Sequence, residues 1–289
     1  MKNHNSSKKS DKCSKGDKGI ILIIVLWVLF FLSVVVLTLG FKNRINIRLR
    51  SLNNEEIRTF YLAKEGLNRI IIKLAADDAG FDSLGDDWSK ELVLEKDYGV
   101  LSVKVTDEDR FLNINLISKE ELYHAAELFE GLQKEDLEAI YKSRPFNVPS
   151  EIEDINMIDD DKFDIMTTTG KVKFYELLTT FSDGKLNINT VTAEVLLMIP
   201  GSSRRIVESI IDRRKNTPFK NRDTLSVELS SLGLTPQEIG SLIKLVKVNS
   251  SVFRIKSKAI SSRRSIEKII EVVIKREENG LKILYAREN

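Results

Sequence analysis

The sequence predicts an α+β protein in which a long N-terminal helix, transmembrane at first and amphipathic later, leads into an antiparallel sheet that a large helical insertion interrupts. Residues 20–39 carry no charge and run on into helically spaced apolar positions. Two segments that alternate apolar and polar residues lie far apart, at 91–106 and within 251–289. Between them a Leu-Asn-Ile-Asn motif occurs twice.

In 20–39 only Ser33 and Thr38 are polar, and twenty residues at about 1.5 Å each give roughly 30 Å of helix, enough to cross a hydrocarbon core. Residues 1–19 hold six Lys against Asp11 and Asp17, a net charge of +4, which predicts a cytoplasmic N-terminus and an exported body. The stretch Leu37-Thr-Leu-Gly-Phe41 offers no small-x-small cleavage site, so the expected cut lies before the apolar run, between Gly19 and Ile20, where a prepilin leader ends. Beyond the bilayer, Phe41, Ile45, Leu49, Leu52, Phe60, Leu67, Ile71 and Leu74 recur mostly at helical steps, with Gly66 the one Gly among them. We therefore expect a leader (1–19), a transmembrane part (20–40) and an amphipathic stem (41–76) on one helix, with Phe60, Leu67, Ile71 and Leu74 as the stem face offered to partners.

Without the leader, 270 residues remain with 39 Lys and Arg against 41 Asp and Glu, so no global field for a polyanion is present. The single Cys, Cys13, sits in the leader, which excludes disulfides and thiolate metal sites from the body.

Residues 91–106 alternate around Asp97-Tyr98-Gly99, a hairpin pattern. Phe111-Leu-Asn-Ile-Asn-Leu116 recurs as Lys185-Leu-Asn-Ile-Asn-Thr190, so Asn113 maps to Asn187, 74 residues on. Pro145-Phe146 recurs as Pro218-Phe219 at an offset of 73, and two landmarks at nearly one period define a repeat. In the second copy the segment 193–199, the turn Pro200-Gly201-Ser202-Ser203 and the segment 204–215 read as a helix-hairpin-helix, with Leu196, Leu197 and Ile199 expected in the core. Further on, 251–257 and 281–286 read as strands, and 265–275 fits strand or helix equally. The boundaries expected are an α/β part made of 77–110 and 251–289, and an insertion, 111–250, of two repeats at about 111–184 and 185–250.

These residues resemble the type II secretion system minor pseudopilin K family. The features that carry the resemblance are the Lys18-Gly19 leader end, the two Leu-Asn-Ile-Asn motifs, Leu196-Leu-Met-Ile-Pro-Gly201, Pro218-Phe219, Phe253-Arg-Ile255 and the closing Ile283-Leu-Tyr-Ala-Arg-Glu288. Pseudopilins usually carry Glu at the fifth mature position, a residue this family lacks, and counting Ile20 as the first puts Ile24 there. A subunit without that carboxylate cannot neutralise a neighbour's N-terminal amine inside the bilayer, where an unpaired charge is costly. The resemblance implies a SAM-like insertion, a single-pass bacterial inner-membrane protein with its body outside the cytoplasm, a leader removed by prepilin peptidase and an N-methylated Ile20. It also implies partnership with other minor pseudopilins at the pseudopilus tip and with the inner-membrane secretion platform, in support of the export of folded proteins. Calcium is associated in the family with an Asp-Trp-x-Asp stretch that the short segment between Leu116 and Pro145 lacks. No ligand is assigned to it.

Two acidic clusters, Asp77/Asp78/Asp82/Asp86/Asp87 and Asp159/Asp160/Asp161/Asp164, miss the spacing of an EF-hand loop and read as solvated loops or caps. The competing function is a membrane-anchored DNA receptor of a competence or type IV pilus-like system, since helix-hairpin-helix turns bind phosphates. The second copy is basic at Arg204, Arg205, Arg213, Arg214, Lys215, Lys220 and Arg222, but Ser203 replaces the second Gly of the Pro-Gly-x-Gly turn and the first copy is acidic. Catalysis is not expected: His4 lies in the leader, His124 stands alone in an acidic helix, and no nucleophile elbow or phosphate loop occurs.

Overall fold

The computed structural model describes residues 15–77, 80–127, 132–155, 158–167, 170–278 and 280–289. The chain divides into two compact units, 1–57 and 58–289. Helix α1 (Lys15–Ala75) runs through the boundary. In the first unit the apolar side chains of the helix from Ile20 onward are exposed, and the helix is long and apolar enough to cross a membrane, with a mean hydropathy of 3.4 over its most apolar window. Most of the leader, with His4 and Cys13, lies outside the described residues.

The second unit is built on a five-stranded antiparallel sheet. Strands β1 (Leu92–Lys96) and β2 (Gly99–Asp107) form the hairpin expected around Asp97-Tyr98. β3 (Leu112–Asn113), helices α2 (Lys119–Glu127) and α3 (Lys134–Lys142), β4 (Asp164–Thr167), β5 (Gly170–Lys173) and β6 (Leu178–Thr179) make up the first repeat. β7 (Leu186–Asn187), helices α4 (Ala193–Leu197), α5 (Arg204–Asn216), α6 (Leu225–Ser231) and α7 (Pro236–Leu245), and β8 (Val246–Lys247) make up the second. The chain then returns to the sheet as β9 (Val252–Ser261), β10 (Glu267–Glu277) and β11 (Gly280–Glu288). The strand order is β1-β2-β9-β10-β11. Pairing of β2 with β9, from Gly99↔Ser261 to Asp107↔Phe253, closes the sheet across the insertion.

The ambiguous segment 265–275 is therefore strand from Glu267 on, which its Ile269, Ile270, Val272, Val273 and Ile274 favour once a neighbouring strand is available to pair. The β4–β5 hairpin was not foreshadowed in the sequence, where the first copy reads as turns and short helices; Gly170, at φ 127°, opens its second strand.

Two cores result. One packs Leu62, Ala63, Leu67, Ile70 and Leu74 of the stem against Leu101, Val103 and Val105 of β2, Phe253 and Ile255 of β9 and Ile270, Val272 and Ile274 of β10. Gly66 lies at a close approach of helix and sheet, since a Cβ there would stand 2.6 Å from Val103, 2.7 Å from Leu101 and 2.8 Å from Ser257. The Ser257 hydroxyl donates to the Ala63 carbonyl at 2.7 Å, a further tie between sheet and stem. The second core lies in the insertion and joins both repeats, from Ile114, Leu122 and Ile140 to Leu196, Ile210, Phe219 and Leu229. Leu196 and Ile199 are buried as expected, whereas Leu197 is only half-buried at the margin of that core, a correction that follows from its place in the last turn of the five-residue α4.

Candidate functional site

Gly19, Ile20 and Ile24 lie on helix α1 in the first unit, with Ile20 and Ile24 exposed. The expected stem face is distributed differently. Leu67 and Leu74 are buried in this chain's own core, and Phe60 and Ile71 are half-buried against it. This corrects the expectation that the four present one partner surface: the apolar stripe that helical spacing revealed covers the sheet of the same chain. The stem's open face carries Tyr61 and Ile72, exposed by 62% and 69%. Eleven residues make close to three helical turns, so both lie on one side of the helix.

The repeat is realised atom by atom. β3 pairs parallel with β6 and β7 parallel with β8, in both copies through the Leu-Asn of the motif. Asn113 Oδ1 accepts from the Asn115 amide and Asn187 Oδ1 from the Asn189 amide, each at 2.9 Å. Asn115 then clamps the backbone of Phe146, accepting from its N–H at 2.9 Å and donating to its carbonyl at 2.8 Å. Asn189 clamps Phe219 in the same way, at 2.8 Å for both bonds. An Arg finishes each copy, Arg144 donating to the Ile114 carbonyl at 2.9 Å and Arg214 to that of Ile188 at 2.7 Å.

In the helix-hairpin-helix, Thr192 caps α4 by accepting from the Val195 amide, and Ser203 caps α5 by accepting from the Ile206 amide. Gly201 takes φ 83° at the turn, a conformation that other residues adopt at a cost. Most of the basic residues of this copy serve the fold. Arg213 pairs with Glu228 at 2.8 Å, Lys215 with Asp212 at 3.1 Å, and Arg222 donates to the carbonyls of Val246 and Ile243. Burial lowers the pKa of Arg214 to about 10, aided by the nearby charge of Arg110. Lys220 sits over the ring of Phe81. Ser203 and Arg204 are exposed at the turn.

Of the first acidic cluster, Asp82 is fully buried rather than solvated, a correction, because Arg276 pairs with it at 3.1 Å and the Ser250 amide donates to it at 2.7 Å. Arg276 also reaches Asp77 at 3.1 Å. Asp86 accepts from the Ser83 amide at 2.7 Å, and Asp87 pairs with Lys90 at 2.7 Å in solvent. Asp78 lies outside the described residues. In the second cluster Asp164 pairs with Lys171 and Lys173. Among the described residues no three His, Cys, Asp or Glu side chains gather as metal ligands. His124 is half-buried on α2, and His4 lies outside the described residues.

Asp82 belongs to a polar seam that joins the two cores and that sequence reading did not find. Its centre is Asp107-Glu108-Asp109, all buried, at the end of β2. Asp107 accepts from the hydroxyls of Thr190 and Ser250, the latter at 2.5 Å, and from Asn187 Nδ2 at 3.3 Å. Asp109 pairs with Lys247 at 2.8 Å and accepts from the Ser251 amide at 2.6 Å. Glu108 pairs with Arg254 at 2.5 Å and accepts from the Thr179 hydroxyl. Burial first, then the charge of Asp109, pushes the Asp107 carboxyl up to about 7; burial pushes that of Asp82 up to about 6 and raises that of Asp109. Burial pulls Arg254 down, but its hydrogen bonds and charge contacts with Glu108 and Glu271 outweigh that and leave its pKa raised. The one sequence cue to this seam is Asn187, the repeat residue whose amide reaches Asp82, Asp107 and Ser250.

Residues 186–242, the motif, the hairpin and three of the helices of the second repeat, match the model of the family "Type II secretion system (T2SS), protein K". The search of curated proteins returned no match. Among solved structures, a chain of the GspK-GspI-GspJ complex from the type 2 secretion system of enterotoxigenic Escherichia coli shares the fold, with a TM-score of 0.58 and 14% identity over 84% of this chain and 99% of that one. The family model on the second repeat and the fold along most of the chain together bear out the resemblance to a type II secretion system minor pseudopilin of the K family.

Proposed function

We propose that this protein is a minor pseudopilin that caps the tip of a type II secretion pseudopilus together with other minor pseudopilins. The observation that carries the reading is the pairing of a prepilin-like α1 with an insertion whose second repeat matches the protein K family. The membrane-derived helix crosses the inner membrane at 20–39 with the basic leader in the cytoplasm, and prepilin peptidase cuts between Gly19 and Ile20. Ile24 leaves the subunit without the carboxylate that would neutralise the terminal amine of a neighbour, so nothing draws it into the shaft. The fold shared with a chain of a GspK-GspI-GspJ complex supports partners of the prepilin-like class. With Leu67 and Leu74 spent inside the subunit, the stem surface offered to those partners is the side bearing Tyr61 and Ile72. The engagement of Arg213, Arg214 and Arg222 within the fold takes three of the seven cations in 204–222 out of a phosphate-binding face, which weighs against the DNA-receptor reading.

The test is extraction of the full-length protein from membranes of its producing cell, with N-terminal sequencing and identification of what co-purifies. A chain beginning at Ile20 together with prepilin-like subunits at low stoichiometry is the expected result. A chain beginning at Met1 or near Phe41, or one that purifies alone, contradicts it.

A further inference from the structure

The seam holds more acid than base in a place closed to water. Asp82, Asp107, Glu108 and Asp109 are all within 1% of full burial, and they come from two segments, the loop after the stem and the end of β2. Arg276 answers Asp82 from β10, Arg254 answers Glu108 from β9, and Lys247 answers Asp109 from β8. Each of these cations is shared with a second carboxylate: Arg276 with Asp77, Arg254 with Glu271 and Lys247 with Asp183. Among the described residues Asp107 has no ion-pair partner; Arg110, beside it in sequence, acts on it only at longer range, as does Glu194 of α4 on Arg110. The groups that hold Asp107 are the hydroxyls of Thr190 and Ser250, the Asn187 amide and the Asp109 N–H. Hydroxyls turn to accept as readily as to donate, so a protonated Asp107 can donate a hydrogen bond to Thr190 or Ser250 once that hydroxyl turns. An ionised one remains a buried charge without an ion-pair partner, answered by Arg110 only at longer range.

Thr190 and Asn187 belong to the second repeat, Ser250 to the return into the sheet, and Asp107 to the sheet itself. We propose that this seam is a proton-operated latch: with the Asp107 carboxyl protonated the helical insertion is held fast to the sheet, and with it ionised the attachment loosens. Loss of the proton sends it to bulk water and leaves a second carboxylate beside Asp109, whose Oδ1 is buried without a hydrogen-bond partner. Ionised in the docked state, Asp107 and Asp82 are disfavoured, with carboxyl pKa values of about 7 and about 6 against an ordinary 3.8 once exposed. A raised acid pKa stabilises the docked state fully below about pH 4, and that stabilisation is lost as pH rises through 6 and 7.

The experiment is hydrogen exchange on the full-length protein in detergent micelles at pH 5 and pH 8, corrected for the intrinsic pH dependence of exchange. Its reporters are the amides that bond across the seam, Asp82 to the Val248 carbonyl, Ser250 to Asp82 and Ser251 to Asp109. Protection of these amides is expected to fall by at least about tenfold from pH 5 to pH 8, while Asp107→Asn abolishes most of that fall. Equal protection at the two pH values in the wild type overturns the latch, as does an Asp107→Asn protein with the wild-type pH dependence. Should Asp107→Asn not fold, Asp82→Asn replaces it and is expected to remove about a third of the dependence; an unchanged dependence there overturns the proposal equally.

Discussion

Asn115 and Asn189 show what a repeated residue is for. Each amide side chain replaces a strand partner for a Phe some thirty residues further along the chain, offering one acceptor to its N–H and one donor to its carbonyl. Asn189 is almost fully buried and also donates to Val248, whereas Asn115 is half-exposed. Buried polar groups stripped of their partners cost about 1–3 kcal/mol each, and water rescues those that it can reach. Asn189→Ala is therefore expected to destabilise the protein by about 2–5 kcal/mol and Asn115→Ala by less, as read by chemical denaturation. Equal losses would contradict the deeper burial of the second clamp. The two partners of each clamp were legible as repeat landmarks, since Asn and Pro-Phe recur at nearly one period, but their bonding to each other was not. The seam was not, because Asp82, Asp107, Asn187 and Ser250 are scattered over the chain and an Asp-Glu-Asp run reads like any solvated loop.

At the scale of elements, the same apolar stripe can face a partner or the chain's own sheet, and sequence periodicity does not tell the two apart. Leu67 and Leu74 were legible as one face of a helix; that the face covers β2 and β9 follows only from the closure of the sheet across the insertion. Gly66 held the clue, since a helix interior tolerates Gly at a cost of roughly 0.5–1 kcal/mol relative to Ala unless something approaches closely. With Val103, Leu101 and Ser257 all within 2.8 Å of where a Cβ at residue 66 would stand, Gly66→Leu is expected to cost at least about 1–3 kcal/mol through overpacking. Gly240 in α7, with nothing within 4 Å of where its Cβ would stand, serves as the control for the bare glycine effect. If Gly66→Leu were as stable as wild type, the stem would not lie on the sheet as described. In the insertion, Leu196→Ala, with its side chain fully buried, is expected to cost about 2–5 kcal/mol in chemical denaturation, and the half-buried Leu197→Ala less.

For the whole molecule, the division of labour follows from where the insertion enters. It leaves the sheet at the end of β2 and returns at β9, so the sheet is complete without it, and the insertion adds bulk on one subunit that a small shaft subunit lacks. That order of parts was legible in the hairpin, the repeat and the terminal strands, whereas the β4–β5 hairpin and the polar seam, which rest on pairings that no local pattern announces, were not. The proposed place at one end of a fibre rests on the bulky insertion and on Ile24 in place of an acid. The direct test is immunogold labelling of this protein on assembled pseudopili, viewed by electron microscopy. Label confined to a single end of each fibre is the predicted result, and label at regular intervals along the shaft would contradict it.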